Sequence, residues 1–267
     1  MSIYTDAQEI IHSALEACLP DQAVRRALEG KEFGSGRIFL VALGKAAWQM
    51  AHCAAELLGP RLERGVVVTK HGHSQGDIPR CQVFEGGHPV PDEGSFQGTR
   101  AAMELVQDLE PQDTVVLLVS GGGSALFESP LIPAEELAQL TSALLACGAD
   151  IVEMNTLRKR LSAVKGGRFA QLCAPAQVYS IVLSDILGDP LDMIASGPAY
   201  PDRSTCAQAR AIAEKYQLPL SDQARALLDQ ETPKELDNVE TIITGSVREL
   251  CSAAAAVCQQ LGYETHI

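Results

Sequence analysis

Apolar and polar positions along this chain follow two periods that take turns. Residues 5–19 carry Ile10, Ile11, Leu15 and Cys18 at helical spacing, Pro20 is placed to end that helix, and residues 21–28 read as a second, short one. The glycine-rich stretch 30–36 breaks the pattern, and the unbroken apolar run Ile38-Phe39-Leu40-Val41-Ala42-Leu43 reads as a buried strand. A helix over 45–58 follows, and the alternation recurs as strands 65–69 and 81–85, helix 93–109, strand 114–119, helix 134–147 and strand 178–183. Strands separated by helices predict an α/β chain with a mainly parallel sheet covered on both faces. Asp202 or Ser204 is placed to cap a helix from about 203, and residues 221–229 suit another. Strand 239–244 and an alanine-rich helix over 246–261, stopped by Gly262, come next. Tyr263-Glu264-Thr265-His266-Ile267 then reads as the opening of a further strand, so the pattern predicts a truncated chain or a missing second domain.

Composition narrows the class. With 267 residues, 46% of them apolar, the chain can build a sizeable core, and no run of eighteen uncharged apolar residues suits a membrane span. A formal net charge of -13 repels phosphate backbones and anionic headgroups, so non-specific nucleic-acid or membrane-surface binding is a poor hypothesis. An anionic ligand therefore needs a local positive site. Residues 1–8 lack a secretory start, and the eight scattered cysteines read as reduced, which points to the cytoplasm.

In open α/β sheets ligands collect where strands end and helices begin. The first strand runs into Gly44-Lys45-Ala46-Ala47. A lysine at a helix start opposes the dipole by about 0.3–1 kcal/mol unless an anion offsets it, the plain alternative being a solvated side chain. The strand 114–119 runs into Ser120-Gly121-Gly122-Gly123-Ser124-Ala125-Leu126, whose successive N–H groups and two hydroxyls suit a phosphate or carboxylate. A tight turn is the alternative there. Neither a Walker A loop nor a dinucleotide-binding GxGxxG occurs. Asn155, Arg158, Ser162 and Lys165 fall on one stripe if residues 155–165 are helical, giving either an anion-binding face or a basic solvated one. Asp185 and Asp189, four apart after strand 178–183, suit Mg²⁺ or simply a polar turn. The rigid loop around Pro89 and Pro91 positions His88, either toward a ligand or packed beside the turn. Lys70, His71 and His73 lack zinc-site spacing, so no structural metal is predicted.

Taken in order, the segments 44–47, 87–92, 120–126, 155–167 and 184–198 resemble the glycerate 2-kinase family. The resemblance implies a Rossmann-like three-layer α/β/α domain over 1–240, with 241–267 as its end or as the start of a truncated C-terminal region. It also implies a second, smaller α/β domain, called MOFRL, that is largely absent here and should supply an arginine to the cleft. The activity implied is ATP- and Mg²⁺-dependent phosphorylation of D-glycerate to 2-phosphoglycerate, with truncation putting turnover in question. Lys45 maps to the family's key lysine, and Lys45 and Asp189 are the implied catalytic pair. Gly44, His88, Ser120, Gly121, Gly122, Gly123, Ser124, Asn155, Arg158 and Lys165 would bind substrate or nucleotide, and Asp185 and Asp189 the metal. The implied partner is a small molecule, and exposed apolar surface left by truncation would favour self-association into a homo-oligomer. Two alternatives are a hydroxypyruvate reductase, which the missing dinucleotide fingerprint disfavours, and a non-catalytic nucleotide- or phosphosugar-binding remnant.

Overall fold

The computed structural model describes residues 2–184, 186 and 188–266. It opens with helices α1 (Ile3–Ala17) and α2 (Pro20–Leu28), then alternates β1 (Ile38–Leu43), α3 (Ala47–Leu58), β2 (Leu62–Lys70), β3 (Cys81–Gly86), α4 (Glu93–Leu105) and β4 (Thr114–Val119). Five helices and a strand follow: α5 (Gly123–Leu126), α6 (Ala134–Ala146), α7 (Ile151–Arg160), α8 (Arg168–Cys173) and β5 (Gln177–Val182), then α9 (Cys206–Lys215). The described chain closes with α10 (Asp222–Leu228), β6 (Val239–Ile243) and α11 (Val247–Gln260).

The six strands form one sheet in the order β3-β2-β1-β4-β5-β6, with parallel pairing throughout. Alternation along β1 explains the layers. Phe39, Val41 and Leu43 face a core shared with Ala102 of α4 and Phe169 of α8, while Ile38, Leu40 and Ala42 face one shared with Val24 of α2 and Met50 of α3. A third core, joining Leu140, Leu157, Ala209 and Leu227, packs α6, α7, α9 and α10 against one another beside the sheet. The expected three-layer α/β/α architecture is present. β6 pairs with β5, so the sheet continues across the expected boundary at residue 240.

Several expected ends shift. Pro20 begins α2 as its first residue, where a proline loses no hydrogen bond, instead of ending α1. The helix expected over 93–109 stops at Leu105, and the one expected from Lys45 starts at Ala47, leaving Lys45 in the preceding turn. Residues 155–165 do not form one helix: α7 ends at Arg160, with Leu161 as its C-cap. Backbone pairing takes over, because Leu131 N donates to Leu161 O at 2.8 Å and Ala163 N to Ser129 O at 2.8 Å. Ser162 and Lys165 thus leave the stripe of Asn155 and Arg158. The helix at 206 is capped by Thr205, and neither Asp202 nor Ser204 fills that role. Residues 263–266 form no strand.

Candidate functional site

The sheet changes direction of travel between β1 and β4, and the loops leaving these two strands lie side by side at that switch point. Gly44 has φ +114, and a Cβ there would collide with the Ser120 side chain, so only glycine permits the approach. The two loops are stitched together. Lys45 N donates to Gly121 O at 2.8 Å, Ala46 N donates to Ser120 Oγ at 3.1 Å, and Ser120 Oγ donates to Leu43 O at 3.3 Å. The loop after β2 joins them, because Thr69 Oγ1 donates to Gly44 O at 3.2 Å and His73 Nδ1 lies 3.0 Å from Lys45 O. Asp92 fixes the loop after β3. It caps α4 at the Ser95 N–H and meets His71 Nε2 at 2.6 Å.

Lys45 and His88 converge on the glycine run. A Cβ on Gly122 would lie 3.0 Å from His88 Cδ2 and 3.1 Å from Lys45 Cγ, and one on Gly123 would lie 2.6 Å from Ala195 Cβ. The Lys45 side chain is exposed, and its ammonium has no ion pair or hydrogen bond among the described residues. Gly122 adopts φ +88, and the N–H groups of residues 121–124 likewise have no acceptor among the described residues. An exposed lysine beside backbone N–H groups without an acceptor among the described residues is a local positive site in an acidic chain, and it suits a phosphate or carboxylate.

Beneath this loop runs a polar relay. Ser124 Oγ lies 3.0 Å from Ser196 Oγ, Ser196 donates to Asn155 Oδ1 at 2.9 Å, and the Asn155 amide reaches Met193 Sδ at 3.3 Å. Ala195 and Ser196 hold φ +52 and +60, a strained pair for residues with side chains. Lys165, expected on the ligand-binding face, is fully buried, donating to Ser124 O at 2.8 Å and Phe127 O at 2.7 Å, with Glu128 Oε2 3.2 Å away. Burial pushes the Lys165 ammonium below its usual range, and Glu128 acts in the opposite sense. Lys165 therefore holds the loop from below. Arg158 is half-buried, and burial also lowers its pKa while the Glu128 carboxylate opposes that.

Asp189 is partly exposed at φ +49, with its N–H donating to Ile186 O at 3.1 Å, and no described hydrogen bond or ion pair joins it to Lys45 or the glycine run. Asp185, expected beside it as a metal ligand, lies outside the described residues. Among the described residues no group of three His, Cys, Asp or Glu side chains is gathered to hold a metal. Mg²⁺ asks for less, one or two carboxylates with water and phosphate oxygens, and Asp189 fits that demand.

Sequence reasoning missed Glu128, Lys159 and Asp202. Lys159 Nζ lies 3.2 Å from the buried Asp202 Oδ1 and 3.4 Å from Oδ2 of the partly exposed Asp192, and Arg160 joins the cluster 3.7 Å from Asp202 Oδ2. A charged residue carries no sequence mark of burial, so no signal distinguished these from surface charges. Ser196 was within a quoted segment, but nothing in the sequence gave it a partner.

Among the described residues no helix is long and apolar enough to cross a membrane. The model of the family described as "Domain of unknown function (DUF4147)" matches residues 6–229. The D-glycerate 2-kinase of Thermotoga maritima is 50% identical over 263 residues, covering 98% of this chain and 63% of that protein. The glycerate 2-kinase of Pyrococcus horikoshii is 36% identical over 289 residues, covering 100% and 65%. The crystal structure of the Thermotoga maritima glycerate kinase superposes with a TM-score of 0.95 at 49% identity, over 98% of this chain and 63% of that one. The chain belongs to the DUF4147 family and is a homologue of these glycerate 2-kinases, as its ordered segments indicated. It spans less than two thirds of the length of either relative.

Proposed function

We propose that this chain is the Rossmann-like part of a glycerate 2-kinase, a cytoplasmic enzyme that transfers a phosphoryl group from ATP to the C2 hydroxyl of D-glycerate with Mg²⁺. The observation that carries this reading is the convergence of Lys45, His88 and the backbone N–H groups of the glycine run at the switch point of the sheet. Phosphoryl transfer asks little covalent chemistry of a protein and much positioning and charge stabilisation. Here the N–H groups of residues 121–124 would hold phosphate oxygens, and Lys45 would neutralise charge that builds up on the transferred group. His88 would orient the acceptor beside Gly122. The relay of Ser124, Ser196 and Asn155, with Lys165 below, would hold the loop in register for those phosphates. Asp189, with Asp185, would hold Mg²⁺, which would supply positive charge against the phosphates.

A reductase reading is supported by two Agrobacterium vitis relatives, 41% identical over 232 residues and 38% over 235, that carry a provisional hydroxypyruvate reductase name. The glycine run lacks the spacing of a dinucleotide fingerprint, which favours the kinase. Phosphorus NMR with ATP, Mg²⁺ and D-glycerate tests it, run on this chain and on a hybrid extended with the C-terminal region of the Thermotoga maritima enzyme. The expected result is a C2 phosphomonoester from at least the hybrid, absent in Lys45→Ala. No product from either, with NADH oxidised on hydroxypyruvate, would overturn the kinase.

A further inference from the structure

Beside the glycine run lies a cavity of about 180 Å³, walled by the loop after β3, α4, α6 and the C-terminal half of α7. Its lining is mainly apolar. Val90 and Leu145 stand at it with 64% and 63% of their surface exposed, which is costly for large aliphatic side chains unless something covers them. Phe96 and Leu137 contribute further apolar wall, and Ser124 links the cavity to the glycine run. Thr141 also lines it, with its hydroxyl proton spent on Leu137 O at 2.8 Å, so the oxygen is left as an acceptor.

Two charged groups also line it. Arg158 lines the cavity, yet its guanidinium makes no hydrogen bond among the described residues. Glu128 is 3% exposed, and its Oε1 is buried without a hydrogen-bond partner among the described residues, while Oε2 is taken by Lys165. Burying a polar group without partners is unfavourable, and this pair is left open at the edge of a cavity next to a phosphate-binding loop.

A three-carbon hydroxy acid fits such walls poorly, because its carboxylate and hydroxyls would be dried against aliphatic carbon with Arg158 as their only strong partner. A flat heteroaromatic ring fits well. Its faces take aliphatic contact and guanidinium stacking, and an exocyclic amine suits the Thr141 oxygen. We propose that this cavity seats the purine base of the phosphoryl donor, with Arg158 stacked on the ring, so that the nucleotide enters from the α4–α6 side and the glycine run takes its phosphates. The inference rests on the kinase reading and adds to it which side of the loop belongs to the donor and which is left for the acceptor.

The test is calorimetric titration of this chain with ATP and with inorganic tripolyphosphate, each with Mg²⁺. ATP is expected to bind about tenfold tighter or more, the fold-change a base stacked in a protein groove supplies. Ala138→Trp, at an exposed cavity position on α6, fills the space from outside the core. It should bring ATP down to the level of tripolyphosphate and leave tripolyphosphate unchanged, and Arg158→Ala should remove part of the same difference. Equal affinities in the wild-type chain, or an ATP preference that survives Ala138→Trp, would overturn the base site. Phosphomonoester production by the hybrid would show that the kinase reading stands without it. Failure of both ligands to bind, with no phosphomonoester from the hybrid, would overturn both.

Discussion

Asp202 shows how much a single interior carboxylate can carry. Burial alone would raise its pKa, but Lys159, the Ser204 N–H and the Thr232 hydroxyl outweigh that and hold it below the ordinary carboxylate range. Asp202→Ala leaves Lys159 and Arg160 buried without their shared anion, and urea denaturation should record a loss of about 3–5 kcal/mol. Glu231 behaves alike at the surface end of the same cluster, where the Cys206 N–H and Lys234 bring it from 4.5 to about 2. Both carboxyls bind protons less readily folded than unfolded, so their contribution is complete above the ordinary carboxylate range and lost as pH falls toward about 2. Thermal melts should show Tm falling across that window, with a shallower fall in Glu231→Gln. Ser196→Ala cuts the bridge between Ser124 and Asn155, and should cost about 1 kcal/mol of stability while lowering phosphate affinity. At this scale the sequence pointed to the strand ends where Gly44, Lys45 and the glycine run meet, because a strand end followed by glycine leaves few structural uses. The burial of Lys165 was not legible, since a lysine destined for the interior is written like one destined for water.

Helices and strands were more legible than their ends. The central strands β1 and β4 are unbroken or nearly unbroken apolar runs buried along their whole length, which burial on both faces explains. The ends depended on partners that periodicity does not see: α7 yields at Leu161 because residues 129–131 compete for its backbone groups. Where α4 lies on β2, Gly98 allows the contact, and a Cβ there would stand 2.7 Å from Val68 Cγ2 and 3.0 Å from Phe84 Cβ. Gly98→Ala should therefore destabilise by about 1–3 kcal/mol in chemical denaturation, the reverse of what helix propensity predicts. At α9 the capping box between Thr205 and Gln208 makes Thr205→Ala worth about 1 kcal/mol in the same assay.

For the whole molecule, binding and stability are one quantity seen twice. If the donor's phosphates sit on residues 121–124, ATP at about a hundred times its dissociation constant adds about 2.7 kcal/mol to the folded state, and Tm should rise by about 5 °C or more. Lys45→Ala should shrink that rise without lowering the Tm of the empty protein, since the exposed ammonium supports no described contact. The strand order has a consequence for how the protein is made. β1 occupies the middle of the sheet, yet its partner β4 lies 76 positions further along, and the relay under the glycine run waits for Ser196. At about 5–20 residues per second a ribosome needs about 4–15 s to deliver β4 after β1 has emerged. Through that interval the most apolar strand of the protein has one open edge, so the nascent chain asks for chaperone cover at the start of its synthesis, long before its ligand loop exists.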